Sequence, residues 1–375
     1  MWQWMKNVWF LSRKELRSLL GDYTLMVLIV VVLSVAVYTV STGITTEVRH
    51  SSIAILDADH SQLSYQIRDA LQQPYFKTPV LEQRENIDQQ MNQGGYVFVI
   101  DIPANFEKDV VAGRAPEIQV LADATSVTQA GIGLVYLQQI ISQQVSQFLK
   151  QPSSESLLPV KPVLNVMYNP NGESHWYLSV VQIIANITLL AMVLVGAAII
   201  REREHGTIEH LLVMPVSASE IAMAKILTNG LVITVAALLS LWLVVNHWLQ
   251  VPINGSVTLF TLGTVIYLFS VSALGIWLAT LAPTMPQFGL LCLPVYVVTR
   301  LLSGSESPLE SMPEVMQWLT QISPVTQYVQ FGQFVLFRNA GIDSVWDKLL
   351  IMTLMGIVFL ALALGRFRHM LARQG

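Results

Sequence analysis

Residues 187–220 read ITLLAMVLVGAAIIREREHGTIEHLLVMPVSASE, an apolar run followed at once by the charged stretch Arg201–Glu204. The apolar part suits the hydrocarbon core of a membrane, and a second apolar run begins after Glu220. A short charged segment between two such runs predicts a turn at the membrane surface that joins two spanning helices.

The composition of the whole chain is that of a polytopic membrane protein. Its 375 residues are 53% hydrophobic and 12% charged, with a mean hydropathy of +0.52, whereas soluble domains carry about 25% charged residues. The single cysteine, Cys292, excludes an intrachain disulfide and a cysteine metal cluster.

Six apolar stretches reach or approach the roughly 20 residues that a helix needs to cross the hydrocarbon core. The fifth is the shortest and contains Pro294 and Arg300. The first is too long for a cleaved signal peptide, so we interpret it as a retained anchor. The predicted fold is a polytopic α-helical membrane protein with six transmembrane helices. They lie at 23–43, at 176–200, within 221–302 (the third to fifth, near 221–248, 257–281 and 286–302) and at 348–366.

Lysine and arginine residues near the span ends predict the orientation. They cluster in residues 1–22, in 201–220 and in the tail 367–375, so both termini and the charged turn are expected in the cytoplasm. Residues 1–22 also predict an amphipathic interfacial helix, with a solvated start of the first span as the alternative. Its apolar face is predicted to comprise Met5, Val8, Trp9, Leu16, Leu19 and Leu20, opposite Lys6, Arg13, Lys14 and Arg17.

Two segments are predicted on the outer side. Residues 44–175 are too polar for lipid, and strand-like runs alternate there with helical patterns that begin after Ser61 and at Pro103. This alternation predicts an inserted periplasmic α/β domain. Residues 303–347 hold three prolines between short amphipathic runs. That pattern favours re-entrant short helices, with one broken span as the alternative.

No motif for catalysis or nucleotide binding is present. The chain has no phosphate-binding loop and no G-x-S-x-G elbow, and His205, Glu209 and His210 do not have zinc-protease spacing, so no metal site is predicted. Gly275 and Ala279 form a small-xxx-small pair that suits close helix packing, within the chain or across a dimer. Polar residues inside the spans indicate a substrate path or, alternatively, hydrogen bonds between helices. The path candidates are Gln182, Asn186, Gln287 and Arg300.

The charged turn is predicted to contain a short helix of its own. Gly206 lets the chain turn, Thr207 caps the helix, and Pro215 ends it. Ser217 and Glu220 then form an S-x-x-E capping box that begins the third span. The result is a rigid elbow across the inner ends of two spans, with an ordinary polar hairpin as the alternative.

Three stretches resemble a known family. The segment EREHGTIEHLLVMPVSASEIAMAKI (202–226) resembles the signature of ABC-2 type export permeases, the membrane subunits of ATP-driven exporters. LSGSESPLESMPEVMQWLTQISPVTQYV (302–329) resembles the outer segment of that family. YVFVIDIPANFEKDVVAGRAPEIQVLADAT (96–125) resembles the insert of the YhhJ-like inner-membrane permeases, a branch with a large periplasmic domain.

The resemblance implies a type V ABC exporter-like fold in the bacterial inner membrane, with 201–220 as a coupling helix seated on a separate ABC ATPase subunit. That partner uses ATP and Mg²⁺, and this chain is expected to bind no cofactor and no nucleic acid. A second permease subunit, the lipid bilayer and a periplasmic membrane-fusion adaptor are the other implied partners. The implied coupling residues are Glu202, Glu204, Gly206, Thr207, Glu209, Leu211 and Pro215.

Three functions are therefore weighed. The first is an export permease for an amphiphilic or drug-like substrate. The second is a membrane enzyme that uses the polar residues of the elbow. The third is a membrane-anchored sensor or scaffold whose periplasmic domain binds a ligand or a partner.

Overall fold

The computed structural model describes residues 2–43, 50–72, 75–123, 127–149, 173–204, 216–307 and 309–372. The chain divides into two compact units, Met1–Gly43 with His175–Gly375, and Ile44–Ser174. The first is the helical membrane unit, and the second contains a β-sheet.

The helices and strands are numbered along the chain. In the membrane unit the helices are α1 (Trp2–Gly21), α2 (Tyr23–Leu33), α3 (Val35–Gly43), α8 (Ser174–Glu204), α9 (Ala218–Ser240), α10 (Val257–Leu281), α11 (Met285–Leu301), α12 (Glu314–Gln321), α13 (Pro324–Leu336) and α14 (Trp346–Ala372). Helix α9 continues as a π-helical segment, Leu241–Trp248, and two 3₁₀ turns lie at Leu309–Ser311 and Ile342–Ser344. The second unit contains β1 (Ile53–Asp57), α4 (Gln62–Ala70), β2 (Val80–Leu81), α5 (Arg84–Asn92), β3 (Phe98–Ile102), α6 (Phe106–Val111), β4 (Gln119–Ala122) and α7 (Val127–Phe148).

Within the described residues, five helical stretches are long and apolar enough to cross a membrane. They are Tyr23–Gly43, Ser174–Glu204, Ala218–Trp248, Val257–Leu281 and Trp346–Arg366. The sixth predicted span, α11, is apolar but has 17 residues, which measure about 25 Å at 1.5 Å per residue. The hydrocarbon core is about 30 Å thick, so six spans stay a prediction. Helix α8 extends beyond the predicted end at residue 200, because the charged residues that follow remain helical.

Helices α8 and α10 form the centre of the membrane unit. Their apolar windows are 78% and 67% buried, whereas those of the first and last spans are 22% buried. Tyr267 of α10 stacks on Tyr328 of α13 with ring centroids 3.9 Å apart. Their hydroxyls share hydrogen bonds of 2.5 Å with Thr188 and 2.7 Å with Thr264, respectively. These pairings satisfy polar groups in the interior and join α8, α10 and α13.

The apolar residues of α1 lie in two different environments. Val8 and Leu19 are buried against the rest of the unit, while Met5, Trp9 and Leu20 are exposed. The sequence pattern placed all five on one face because hydrophobicity does not distinguish a protein neighbour from a lipid neighbour. The predicted apolar face therefore consists of a buried sector and an adjoining exposed sector.

The second unit is built on a four-stranded sheet in the order β2-β1-β3-β4. Strand β1 pairs in parallel with β2 and β3, and β4 is antiparallel to β3. Alternate residues of β1 enter two cores, Ile53 and Ile55 on one face and Ala54 and Leu56 on the other. Burial of both faces explains why β1 is almost continuously apolar. The location of this unit on the periplasmic side stays a prediction.

Two carboxylates fix the helix starts in this unit. Asp59 Oδ2 accepts from the backbone N–H of Glu107 (2.9 Å), and Glu107 Oε2 accepts from that of Leu63 (3.0 Å). Burial acts to raise the pKa of Asp59, but its hydrogen bonds with Ser61 and backbone amides outweigh burial and lower the pKa. The predicted cap at Ser61 is confirmed as a capping box. The helix predicted to open at Pro103 begins instead at Phe106.

A glycine allows α8 and α10 to approach closely. A methyl group at Gly275 of α10 would lie 2.7 Å from the Met192 carbonyl oxygen and 3.0 Å from its Cα atom. Both contacts are to backbone, which side-chain rotation cannot relieve. Gly275 therefore supports packing within this chain.

We expect Gly275→Ala to destabilise the membrane unit by about 1–3 kcal/mol, because it overpacks a backbone contact. The matched control is Gly289→Ala in α11, where a methyl group meets nothing within 4 Å. That change should be neutral or stabilising by up to about 1 kcal/mol, through helix propensity. Thermal unfolding of the two purified variants in detergent measures both. Equal midpoints would contradict this account of Gly275.

Candidate functional site

The predicted coupling residues are only partly described by the structure. Glu202 and Glu204 lie in the last turn of α8. Gly206, Thr207, Glu209, Leu211 and Pro215 fall in 205–215, outside the described residues. The chain is described again from Val216, and the predicted S-x-x-E capping box is confirmed there. The Ser217 N–H donates to Glu220 Oε2 (2.5 Å), and the Glu220 N–H donates to Ser217 Oγ (3.4 Å).

A buried ionic cluster joins the two described ends of this segment. Lys225 of α9 places its Nζ 2.8 Å from Glu202 Oε1 and 3.0 Å from Glu15 Oε1. The Lys225 side chain is 2% exposed, and those of Glu202 and Glu15 are 19% and 20% exposed. The cluster therefore connects α1, α8 and α9 through one ammonium group.

The charges in this cluster are mutually dependent. Two carboxylates flank one cation, so removing Lys225 leaves two negative charges close together in a site that is largely shielded from water. Removing one carboxylate still leaves a paired cation. Breaking a buried ion pair from one side costs about 3–5 kcal/mol, because the remaining charge is uncompensated.

Three further hydrogen bonds hold α1 against α9. The Trp4 indole N–H donates to Ser219 Oγ (3.3 Å), and Asn7 Nδ2 donates to Glu220 Oε1 (3.0 Å). Thr228 Oγ1 donates to the carbonyl oxygen of Ser12 (3.1 Å). With the Glu15–Lys225 pair, these contacts recur along the length of α1, so α1 and α9 are joined as one body.

Each charged residue of Arg201–Glu204 contacts a different element. Arg201 pairs with Asp22 between α1 and α2 (3.5 Å), and Glu202 binds Lys225 of α9. Arg203 donates to the carbonyl oxygen of Ala282 at the end of α10. Glu204 Oε1 accepts from the Met285 N–H (2.8 Å), which is the first amide of α11. The N-cap residue Thr284 forms no side-chain hydrogen bond with this helix start, so Glu204 serves as the cap.

Successive residues of an α-helix project about 100° apart, so four in a row reach neighbours on every side. The last turn of α8 is thus a hub for the ends of five helices. The sequence alone did not indicate Glu15, and it gave Lys225 only as a residue of the signature segment 202–226, without a coupling role. The available signal was a lysine inside an apolar span, which requires a partner.

Of the predicted path residues, Asn186 forms a hydrogen bond to another span, and Gln182 bonds to Asn186 within α8. Asn186 Nδ2 donates to the Val32 carbonyl oxygen (2.6 Å), and Gln182 Nε2 donates to Asn186 Oδ1 (2.9 Å). The first span is interrupted at Ser34, between α2 and α3. Ser240 Oγ, immediately before the π-helical segment, donates to the adjacent Leu33 carbonyl oxygen. These polar side chains bind carbonyl groups beside the interruption.

The other two path candidates lie apart from this pair. Gln287 is exposed near the start of α11, and Arg300 is at its end. Arg300 forms two contacts with Glu306 Oε1, from Nε (3.1 Å) and Nη2 (2.8 Å). The four candidates therefore do not form one cluster.

A polar cavity of about 550 Å³ lies beside the Arg300–Glu306 pair. Tyr177 of α8 and Gln333 of α13 line it and are linked, because Gln333 Nε2 donates to the Tyr177 hydroxyl (3.2 Å). The sequence did not indicate these residues, although the small polar run SGSES (303–307) directly after an apolar helix is a signal. Among the described residues no group of three or more His, Cys, Asp or Glu could hold a metal ion.

Comparison with known proteins finds relatives that are described as transport permeases. Residues 23–364 match the ABC-2 family transporter protein family. The chain is 44% identical over 364 residues to the inner membrane transport permease YhhJ of Escherichia coli strain K12, covering 97% of each. It is 29% identical over 350 residues to the probable multidrug ABC transporter permease YbhR of the same strain, covering 92% of this chain and 93% of that protein. The probable multidrug ABC transporter permease YbhS, also of that strain, is 23% identical over 333 residues, 86% of each.

We expect Lys225→Met to destabilise the membrane unit by about 3–5 kcal/mol, because Glu15 and Glu202 lose their shared cation. Glu15→Gln alone should cost about 1 kcal/mol, since Lys225 keeps Glu202. Thermal unfolding of purified protein in detergent measures both changes.

The control for this prediction is Lys14→Met, an exposed cation on α1, which should have little effect. Adding Glu15→Gln and Glu202→Gln to Lys225→Met removes the whole cluster of charges and should recover much of the loss. A triple variant no more stable than Lys225→Met would show that charge imbalance is not the cause.

Proposed function

Because the chain belongs to the ABC-2 family of transporter proteins, we propose that it is the membrane-spanning permease subunit of an ATP-driven exporter. A separate ABC ATPase subunit hydrolyses ATP with Mg²⁺, and the exporter moves an amphiphilic or drug-like substrate outward. The match to the ABC-2 family confirms the family resemblance of the sequence motifs. The names of its relatives support transport, since they are described as permeases of ABC and inner-membrane transporters.

The observation that carries the proposal is the set of contacts made by Arg201–Glu204. A force applied to residues 205–215 acts directly on α8 and α9, because these residues connect the two helices. It then reaches α1 through the Lys225 cluster, α10 through Ala282 and α11 through Met285. An ATPase that moves this segment would therefore move the ends of most membrane helices together.

The proposed coupling residues divide into two roles. Gly206, Thr207, Glu209, Leu211 and Pro215 form the part that contacts the ATPase. Glu202 and Glu204 act inside the chain, since their carboxylates bind Lys225 and the Met285 amide. The ATPase contact supplies the motion, and the two glutamates transmit it.

The remaining features of the proposal concern assembly and location. The chain works with a second permease subunit in a bacterial inner membrane, with both termini in the cytoplasm. The unit Ile44–Ser174 lies in the periplasm and is available to a membrane-fusion adaptor. Gln182, Asn186, Gln287 and Arg300 stay candidates for the substrate path, and the Arg300 region has the cavity beside it.

A second candidate function is a sensor or scaffold, and one feature of Ile44–Ser174 favours it. A largely apolar groove of about 710 Å³ lies between α6, β4 and α7, with Phe106, Val120 and Leu134 among its lining residues. Ligand sites are typically concave and mainly apolar. A signal carried by this unit without any ATPase would support the second candidate over the first.

We expect Glu209→Lys to abolish co-purification of an ATPase with the tagged full-length chain, expressed in the organism that encodes it. The substitution reverses a charge in the proposed contact, and like charges across an interface cost several kcal/mol. Glu310→Lys, at an exposed 3₁₀ turn, is the matched control and should retain the ATPase. Retention by both variants, or recovery of no ATPase with the wild type, would count against the coupling role.

Labelling tests the location of the coupling segment. Cys292 is buried, so Cys292→Ala gives a background without thiols. In that background His205→Cys should react with a membrane-impermeant maleimide only after the cells are opened, whereas Arg84→Cys, exposed in the second unit, should react in cells with a permeable outer membrane. Reaction at position 205 in such unopened cells would overturn the proposed orientation.

A further inference from the structure

We propose that the outward face of α1 binds the headgroups of anionic phospholipids in the membrane leaflet that contains this helix. The proposal concerns an interaction surface, and it is independent of the substrate and of the ATPase. It depends on how the side chains of α1 are distributed around the helix.

Three sectors surround α1 at about 100° per residue. The first faces the membrane unit and holds Val8 and Leu19 with the bonded residues Trp4 and Glu15. Because these contacts fix the rotation of α1, the directions of the other two sectors are fixed as well.

The second sector is apolar and exposed. It contains Trp2, Met5, Trp9 and Leu20, whose exposed fractions are all above one half. Large exposed apolar side chains on a helix beside the spans suit the boundary between acyl chains and headgroups. Tryptophan is enriched at that depth of the membrane.

The third sector adjoins the apolar one and is mainly basic, with the exposed Phe10 among its cations. Lys6, Arg13, Lys14 and Arg17 fall within about 100° of each other on the helix, and all four are exposed. A cationic sector next to an apolar sector is the arrangement that lies at the surface of an anionic membrane.

The charges of this sector have no counterpart on their own helix. Glu15 is the single acidic residue of α1, and it lies in the first sector with its carboxylate on Lys225. Asp22, just after α1, pairs with Arg201. Four exposed cations with no acidic side chain beside them on α1 attract anions from outside the helix, and phosphate headgroups at that depth carry the complementary charge. An acidic surface on a partner protein is the rival occupant.

The test uses purified full-length protein in a nonionic detergent, with no partner present. Phosphatidylglycerol or phosphatidylcholine is titrated in, and the unfolding temperature is followed, because a ligand that binds the folded state raises it. We expect half-maximal stabilisation at about tenfold less phosphatidylglycerol than phosphatidylcholine. About 0.5 M salt should reduce this difference, since it screens exposed charges.

The test variant carries Lys6→Gln, Arg13→Gln, Lys14→Gln and Arg17→Gln, and it should lose the preference for phosphatidylglycerol. The control removes the same charge from exposed cations of the second unit, by Lys77→Gln, Arg84→Gln, Lys108→Gln and Arg114→Gln, and should keep it.

Four outcomes would overturn the proposal. The first two concern the wild type: equal stabilisation by both lipids, or a preference for phosphatidylglycerol that salt does not reduce. The other two concern the variants: a test variant that keeps this preference, or a control that loses it as fully as the test variant does. If the test variant does not fold, the pair Lys6→Gln and Arg17→Gln is measured beside the pair Lys77→Gln and Lys108→Gln. The preference should weaken in the first pair only.

Discussion

The membrane unit depends on the way in which four consecutive charged residues end α8. Their spacing around the helix sends Arg201, Glu202, Arg203 and Glu204 toward four different elements, and each finds a partner there. The Glu202–Lys225 pair is largely buried, where an unpaired charge is costly. The contacts of Arg201, Arg203 and Glu204 are more exposed, and each restrains the helix end that carries its partner. The apolar spans pack by shape, as at Gly275, but shape alone leaves their ends free to separate. The charged turn removes that freedom for α1, α2, α9, α10 and α11.

Local sequence signals predicted the structure well where the determining residues are close together in the chain. The span Val257–Leu281 has the bounds that its apolar run indicated, and the capping boxes at Ser61 and Ser217 are present because each lies within four residues. Contacts between distant residues were not predictable in this way. Glu15 and Lys225 are 210 positions apart, and no local pattern joins them. Strand β2 has two residues, too few for an alternation pattern, and it is recognised only by its pairing with β1.

The polar residues inside the spans show a similar limit. For Asn186 and Gln182 the sequence favoured hydrogen bonds between helices over a substrate path. Asn186 bonds to the carbonyl oxygen of Val32, two residues before the interruption of the first span at Ser34, and Gln182 bonds to Asn186. A string of apolar residues such as TLMVLIVVVLSVAVY (24–38) contains little to indicate that break. The first span also passes close to the π-helical segment, where Tyr38 meets Trp248 edge to face. Irregular backbone in two neighbouring spans is thus supported by side chains from both and from α8.

The burial of Lys225 has a consequence for the synthesis of the chain. A buried lysine needs a carboxylate partner. Glu202 is made 23 residues before Lys225, whereas Glu15 is made about 210 residues earlier. At roughly 5–20 residues per second, the ribosome needs about 10–40 s to cover that distance. During this interval the first helix has to stay near the place where α9 will insert, although its later partner does not yet exist. The proposed binding of its exposed tryptophans and cations to headgroups would keep it at the bilayer surface meanwhile. The contact between Glu15 of the amino-terminal helix and Lys225 of the third span therefore forms late in the synthesis of the chain.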